Sequence, residues 1–187
     1  MHLVCKNVQP SLTEYKEIKS LLARAFPKEE QYPLWLLRFW ALRSDVDFTA
    51  YYDGKIFCGV SYTVRNAEAV FVLYLAVNDR LRSKGYGGMI LNEIKERNPD
   101  KTILLNVEPA DETAENREQR IRRIAFYRKN GFYETGCRIA DKKSEYEILS
   151  TSQEFLKESY RDLLRIFSFG LYAPQVFLRK EWAEKNG

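Results

Sequence analysis

Residues 82–88 read Arg-Ser-Lys-Gly-Tyr-Gly-Gly. They sit between an almost unbroken apolar run, Ala69 to Val77, and the segment Met89-Ile-Leu-Asn-Glu-Ile94, in which Gly87, Leu91 and Ile94 share one helical face with Ile90 beside them. A strand, a glycine-rich turn and a helix start together make an anion site. The first N–H groups of a helix have no intrahelical partner, and the helix dipole favours negative charge at that end. Gly85, Gly87 and Gly88 remove the side chains that would keep a phosphate from the backbone. Arg82 and Lys84 add charge at the rim. The spacing is neither that of a triphosphate loop, Gly-x-x-x-x-Gly-Lys-Ser/Thr, nor the Gly-x-Gly-x-x-Gly of a dinucleotide fold. It predicts a phosphorylated ligand of another kind.

The chain has a single histidine, His2, close to its start. That argues against a Ser-His-Asp or Cys-His nucleophile, a zinc site with histidine ligands and a histidine base, and no metal is expected. A base must then be a carboxylate, a tyrosine, a backbone group or water. Cys5, Cys58 and Cys137 are odd in number and lack metal-ligand spacing, so they read as reduced thiols. The net charge of +4 suits an anionic ligand but is too small and dispersed to argue for nucleic acid. The longest uncharged apolar run is about nine residues, against the roughly 20 that a spanning helix needs. Lys6, Glu14, Lys16, Glu17 and Lys19 leave no apolar region for a signal peptide. These features together predict a cytoplasmic protein with neither a membrane nor a nucleic-acid partner.

A second segment, Arg123-Ile-Ala-Phe-Tyr-Arg-Lys-Asn-Gly-Phe132, sets a tyrosine on a helix four residues before a Gly-Phe stop. The Arg-x-x-Gly-x-Gly turn after Leu75-Ala76-Val77, followed by this segment in this order, resembles the GNAT family, the Gcn5-related acyl-CoA N-acyltransferases. The resemblance covers roughly residues 45–150. It implies the acyl-CoA N-acyltransferase fold, acetyl-CoA as co-substrate and direct attack by an amine in a ternary complex. It implies that the cofactor pyrophosphate lies on Arg82, Ser83, Lys84, Gly85, Tyr86, Gly87 and Gly88. The pantetheine arm would follow Leu75, Ala76 and Val77, on a strand splayed from its neighbour, with backbone N–H groups on the thioester carbonyl. Tyr127 would stand near the sulfur, where a phenol can give a proton or hydrogen bond to the departing thiolate. On its residues alone Tyr127 is equally a core ring, and the glycines equally a tight connection.

The base is less well marked. Some family members carry a glutamate early on strand 69–77; here that place falls near Phe71, which cannot serve. Glu108 ends the next strand, Leu104-Leu-Asn-Val-Glu108, and carboxyl ends of strands in open α/β sheets face the ligand crevice. It is the candidate base, with a loop-capping carboxylate or a water relay as alternatives; Asp111 and Glu112 rank below it. Arg120 and Arg123 stand where the family often has Asn and a small residue, and one of them could take an adenosine phosphate. The rival to a transferase is an acyl-CoA-binding sensor or scaffold with little catalysis. The acceptor stays open among a small amine, a polyamine, an antibiotic, an amino acid and a protein terminus.

The elements that must position these residues follow from patterning. With 187 residues, 45% hydrophobic and 14% aromatic, one domain spanning 1–187 can bury a core. Strands are predicted at 2–8, 46–52, 55–64 after an Asp53-Gly54 turn, 69–77, 102–107, 132–139 and 145–149, with a further short strand at 175–178. Ser11-Leu-Thr-Glu14 reads as a capping box for a helix that Pro27 stops. Residues 33–43 read as a helix apolar on nearly all sides, needing burial as acceptor-site wall, homodimer contact or core. Helices are also expected to about Arg97, to Asn130 with Gly131 as its stop, and over about 152–168, announced by Thr151-x-x-Glu154 and burying Leu156, Tyr160, Leu163 and Phe167. The fold class is α/β: a single mixed, mostly antiparallel sheet of about six or seven strands flanked by helices.

Overall fold

In the computed structural model, residues 2–112, 114–141, 144–154, 157–170 and 175–178 are described. The chain divides into two compact units, residues 1–65 with 72–99, and residues 66–71 with 100–187. Among the described residues five α-helices and eight strands give the mixed α/β architecture that the patterning predicts, the sheet holding eight strands where about six or seven are expected.

The first unit holds β1 (Val4–Asn7), α1 (Tyr15–Ala25), α2 (Leu34–Trp40), β2 (Val46–Asp53), β3 (Ile56–Arg65), the later part of β4 (Ala69–Val77) and α3 (Tyr86–Glu96). Its strand order is β1-β2-β3-β4. β2 and β3 form an antiparallel hairpin turning at Gly54, whose φ of +58° is the left-handed conformation such turns use. Both strands are buried over most of their length; Val46, Phe48, Ala50 and Tyr52 of β2 give an apolar face, while Thr49, Ser61 and Thr63 are buried polar residues of the other. Gly59 of β3 has a specific reason to be glycine. A Cβ there would lie 2.4 Å from the Ala76 carbonyl oxygen and 2.9 Å from Ile90 Cδ1, so its absence lets the end of β4 and the α3 core face approach β3.

α1 buries Ile18, Leu21 and Leu22, and it ends where Phe26, preceding Pro27, is forced into extended backbone. The capping box does not form. Glu14 itself occupies the cap position with no side-chain cap bond, and its carboxylate accepts from the Tyr52 hydroxyl at 2.9 Å. The apolar helix also departs from expectation. α2 has only seven residues and buries only Leu37, leaving Trp35, Phe39 and the following Leu42 exposed by 67%, 60% and 82%. α3 buries the expected Ile90, Leu91 and Ile94. His2 is not idle: its Nδ1 lies 3.4 Å from carboxylate oxygens of Glu93 and Glu96.

The second unit holds the first residues of β4, then β5 (Thr102–Val107), α4 (Arg117–Lys129), β6 (Tyr133–Asp141), β7 (Ser144–Ser150), α5 (Lys157–Phe167) and β8 (Val176–Leu178). Its order is β4-β5-β7-β6-β8, and β5/β7, β6/β7 and β6/β8 are antiparallel. The β6/β7 register breaks between Glu134 and Arg138, around Gly136 at φ +70°, the signature of a bulge. α5 buries Tyr160, Leu163 and Phe167, as its spacing predicts, and Leu156 lies outside the described residues. Thr151 extends the sheet instead of announcing α5. Its N–H donates to the Ile103 carbonyl at 3.0 Å, and its Oγ1 accepts from the Ile103 N–H at 2.9 Å. Among the described residues no helix is long and apolar enough to cross a membrane.

Candidate active site

In the first unit, the glycine turn is built from the end of β4 outward. Along β4, Leu73, Leu75 and Val77 are partly exposed while Val72, Tyr74 and Ala76 are buried, the alternation of a strand with one open face. Asn78 then fixes where the strand stops. Its N–H donates to Cys58 O at 2.8 Å and its side-chain amide to Phe57 O at 2.9 Å, fastening it to β3. Its side-chain oxygen caps the single 3-10 turn Asp79–Leu81 through the Arg80 N–H. Asp79 then holds Arg82 by an ion pair of 2.6 Å and Arg24 of α1 by one of 2.7 Å. The hydrogen bond from Arg24, and then the Arg82 charge, hold the Asp79 carboxyl below its usual range.

Two left-handed residues follow, Ser83 at φ +64° and Gly85 at φ +88°. They swing the chain into α3 with its first N–H groups uncovered. The first backbone bond is Met89 N–H to Gly85 O at 3.2 Å; the N–H groups of Gly85, Tyr86, Gly87 and Gly88 make no hydrogen bond among the described residues. Four consecutive open donors at a helix start are an anion-binding array. Arg82, Ser83, Lys84 and Gly85 are exposed around it. The Tyr86 hydroxyl donates to Asp53 Oδ2 at 2.8 Å, tying the helix start to the β2–β3 hairpin, and this bond raises the phenol's pKa.

In the second unit, β5 runs out at Val107 and Glu108 follows at once. Both of its oxygens are engaged: Arg120 Nη2 donates to Oε1 at 2.9 Å and Arg123 Nη1 to Oε2 at 3.2 Å. Arg120 also donates to Pro109 O at 2.9 Å and Asn116 Oδ1 at 2.6 Å, so the end of β5 is clamped to the first turns of α4. The two arginines that sequence left open for an adenosine phosphate are thus ion-paired to the candidate base. Asp111, the lower-ranked alternative, is 3.2 Å from Arg138.

Tyr127 stands on the last turn of α4, which closes in a Schellman motif. Phe132 N–H bonds to Tyr127 O at 3.1 Å and Gly131 N–H to Arg128 O at 3.0 Å, with Gly131 at φ +76°. The Gly-Phe pair read from the sequence therefore sets the backbone of Tyr127 directly. Its ring packs edge-on against Phe126 at 5.1 Å and Phe132 at 5.7 Å. Its hydroxyl makes no hydrogen bond among the described residues. Burial raises its pKa, partly offset by the Arg123 charge, which keeps it a proton-bearing phenol at neutral pH.

Three positioning features escaped the sequence reading. Asn78 and Gly59 act on residues 17–31 positions away. Arg138, buried in β6, gathers Asp111, Glu145 and Glu147 at 3.2, 3.3 and 3.1 Å. Only Asn78, an Asx residue just past a strand, left a local signal.

Solved structures share this arrangement of strands and helices. A GNAT-family putative acetyltransferase from Bacteroides thetaiotaomicron superposes with a TM-score of 0.71 at 23% identity, over 90% of this chain and 99% of that one. A Bacillus subtilis acetyltransferase in complex with CoA gives 0.55 at 16% identity, over 79% and 97%. An Elizabethkingia anophelis GNAT acetyltransferase with acetyl-CoA bound gives 0.54 at 12%, over 80% and 97%. The fold is that of the acetyltransferases. A family model described as an acetyltransferase (GNAT) domain matches residues 38–134, and the chain belongs to that family. The putative acetyltransferase YjbC of Bacillus subtilis strain 168 is 41% identical over 63 residues, 34% of this chain. That match spans 30% of YjbC's own length.

Proposed function

We propose that this protein is an acyl-CoA-dependent N-acyltransferase that moves an acetyl group from acetyl-CoA to a primary amine. The observation that carries it is the row of open N–H groups from Gly85 to Gly88 at the start of α3, in a chain of the GNAT family. These donors, with Arg82, Ser83 and Lys84 at the rim, suit a pyrophosphate. Leu75, Ala76 and Val77 line the pantetheine arm, and the open face carrying Leu75 and Val77 supports that part. The relatives named with CoA or acetyl-CoA bound support the cofactor. The family match crosses both compact units, which supports one acetyltransferase domain.

The amine attacks the thioester carbonyl directly, forming the amide as the carbon–sulfur bond breaks. Tyr127 gives the departing thiolate a proton or hydrogen bond; its free hydroxyl and raised pKa support that role. Glu108 accepts the amine's proton, directly or through water, on a lone pair that its arginine bonds leave free. A second reading, a sensor that binds acyl-CoA with little turnover, draws on two facts. Phe71 fills the place of the early-strand glutamate, buried edge-on against Tyr160 at 5.7 Å, and both Glu108 oxygens are ion-paired. A panel of primary amines with acetyl-CoA, followed by free-thiol release, tests both. Turnover above the rate of spontaneous hydrolysis supports the transferase; tight acetyl-CoA binding with no turnover supports the sensor.

A further inference from the structure

In the first unit a cleft of about 150 Å³ opens between the C-terminal half of α1, the 26–34 segment, α2 and Tyr74 of β4. Leu22, Phe26, Tyr32, Leu34, Leu37 and Tyr74 form its walls. Two polar side chains of its lining are already spent on the protein. The Tyr74 hydroxyl donates to Glu30 O and accepts from the Tyr32 N–H, and the Gln31 amide donates to Ala23 O and Phe26 O. The walls are also fixed in advance: the Phe26 ring lies 4.6 Å from Tyr74 and the Tyr32 ring 5.4 Å from Trp40. Among the described residues no carboxylate lines the cleft, and Lys19 is its one charged residue. Elsewhere an apolar cavity of about 150 Å³ is of a size that holds one benzene molecule.

From this we infer that the acceptor is a primary amine bearing one apolar side group of about phenyl size, and that this cleft seats that group. The inference rests on the transferase reading and gives its unassigned half a chemical class. Tyr74 immediately precedes Leu75 on β4, so the cleft borders the strand that the proposal gives to the pantetheine arm, on the face opposite Leu75 and Val77. A polyamine or aminoglycoside would bring a second ammonium beside Lys19 with no carboxylate to neutralise it, and an unpaired cation against an apolar wall is strongly disfavoured. Nine of the ten lining residues precede residue 38, so the cleft is almost wholly outside the family match.

The test compares 2-phenylethylamine, methylamine and 1,4-diaminobutane as acceptors with the wild-type protein, Ala23→Phe and Lys19→Glu. Ala23 is exposed on α1 and lines the cleft, so a ring there fills it without disturbing a buried position. Wild type should use 2-phenylethylamine at least about tenfold better in kcat/KM than either other amine, in the range that hydrophobic pockets discriminate. Ala23→Phe should erase that advantage through KM, with acetyl-CoA affinity and the methylamine rate retained. Lys19→Glu should raise kcat/KM for 1,4-diaminobutane. A wild-type preference for the diamine, or an unchanged 2-phenylethylamine KM in Ala23→Phe, overturns the inference and leaves the transferase reading standing. Turnover of no amine at all refutes the transferase reading, and the cleft is then judged by phenol titration followed by NMR. Shifts at Leu37 and Tyr74 that vanish in Ala23→Phe support an apolar ligand site, and their absence overturns it.

Discussion

Tyr127→Phe separates catalysis from packing because the structure gives the hydroxyl nothing else to do. The ring contacts at 5.1 and 5.7 Å survive the change, and so does the Schellman closure of α4, which uses only backbone atoms. With no hydrogen-bond partner among the described residues, the hydroxyl leaves no orphaned donor or acceptor behind. Stability should therefore stay within about 0.5 kcal/mol of wild type by denaturant unfolding. A general acid at a leaving group is worth about 10²-fold or more, so kcat should fall by at least that, about 2.7 kcal/mol of barrier. Burial holds the phenol protonated well past neutrality, so the loss should be the same at every pH below about 10. The assay is free-thiol release with the best acceptor at saturating acetyl-CoA, beside calorimetric binding of acetyl-CoA, which should be nearly unchanged. Full kcat in the mutant, with chemistry shown to be rate-limiting, would refute the assignment and leave Tyr127 a packing residue.

Other perturbations address the remaining parts. Gly87→Asp puts a carboxylate against the open N–H groups of α3 and should weaken acetyl-CoA at least about tenfold, 1.4 kcal/mol, by calorimetry on a folded protein. Unchanged affinity would remove the turn from the cofactor site. Gly59→Ala places a methyl group 2.4 Å from a backbone oxygen and should cost about 1–3 kcal/mol in urea unfolding; an unperturbed midpoint would contradict the packing. Burial raises the phenol pKa values of Tyr51, Tyr62 and Tyr74. Raised folded-state values give stability that is complete below about pH 10 and lost as pH climbs beyond it, so phenolate absorbance should lag until the protein unfolds. Free titration of all twelve tyrosines in the folded protein would contradict this. Glu108→Gln should lower kcat/KM most at low pH and less as the amine's own pKa is approached. A uniform loss would make Glu108 an acceptor-binding residue, and no loss would assign the proton to water.

What the sequence made legible was what its chemistry decides locally. The glycines at 85, 87 and 88 need no distant partner to expose a helix start, and Gly131 can terminate α4 wherever that helix lies. Asp53-Gly54 turns a hairpin for the same reason. The failures share the opposite cause. Ser11 and Glu14 have capping-box spacing, yet the Glu14 carboxylate goes to a tyrosine 38 residues away. The run at 33–43 is apolar all round, but a seven-residue helix offers only one position, Leu37, to the interior. Glu108 was found from its place at a strand end, and its two arginines were noticed from their place on α4. Nothing in their spacing announced that all three would meet.

The division between legible and illegible also falls along the chemistry. A phosphate is held by backbone N–H groups, which every residue carries, so the site needs only glycines at the right offsets and tolerates change elsewhere. The family match over residues 38–134 holds both the glycine turn and the closing turn of α4. An acceptor has no such common handle. It must be met by side chains, and in the cleft proposed for it they come from residues 19–37 and from Tyr74. Phe26, Tyr32 and Leu34 can change to fit another amine without touching Gly85 or the closing turn of α4. On that proposal the choice of acceptor is written in the stretch of chain that the family match leaves unread.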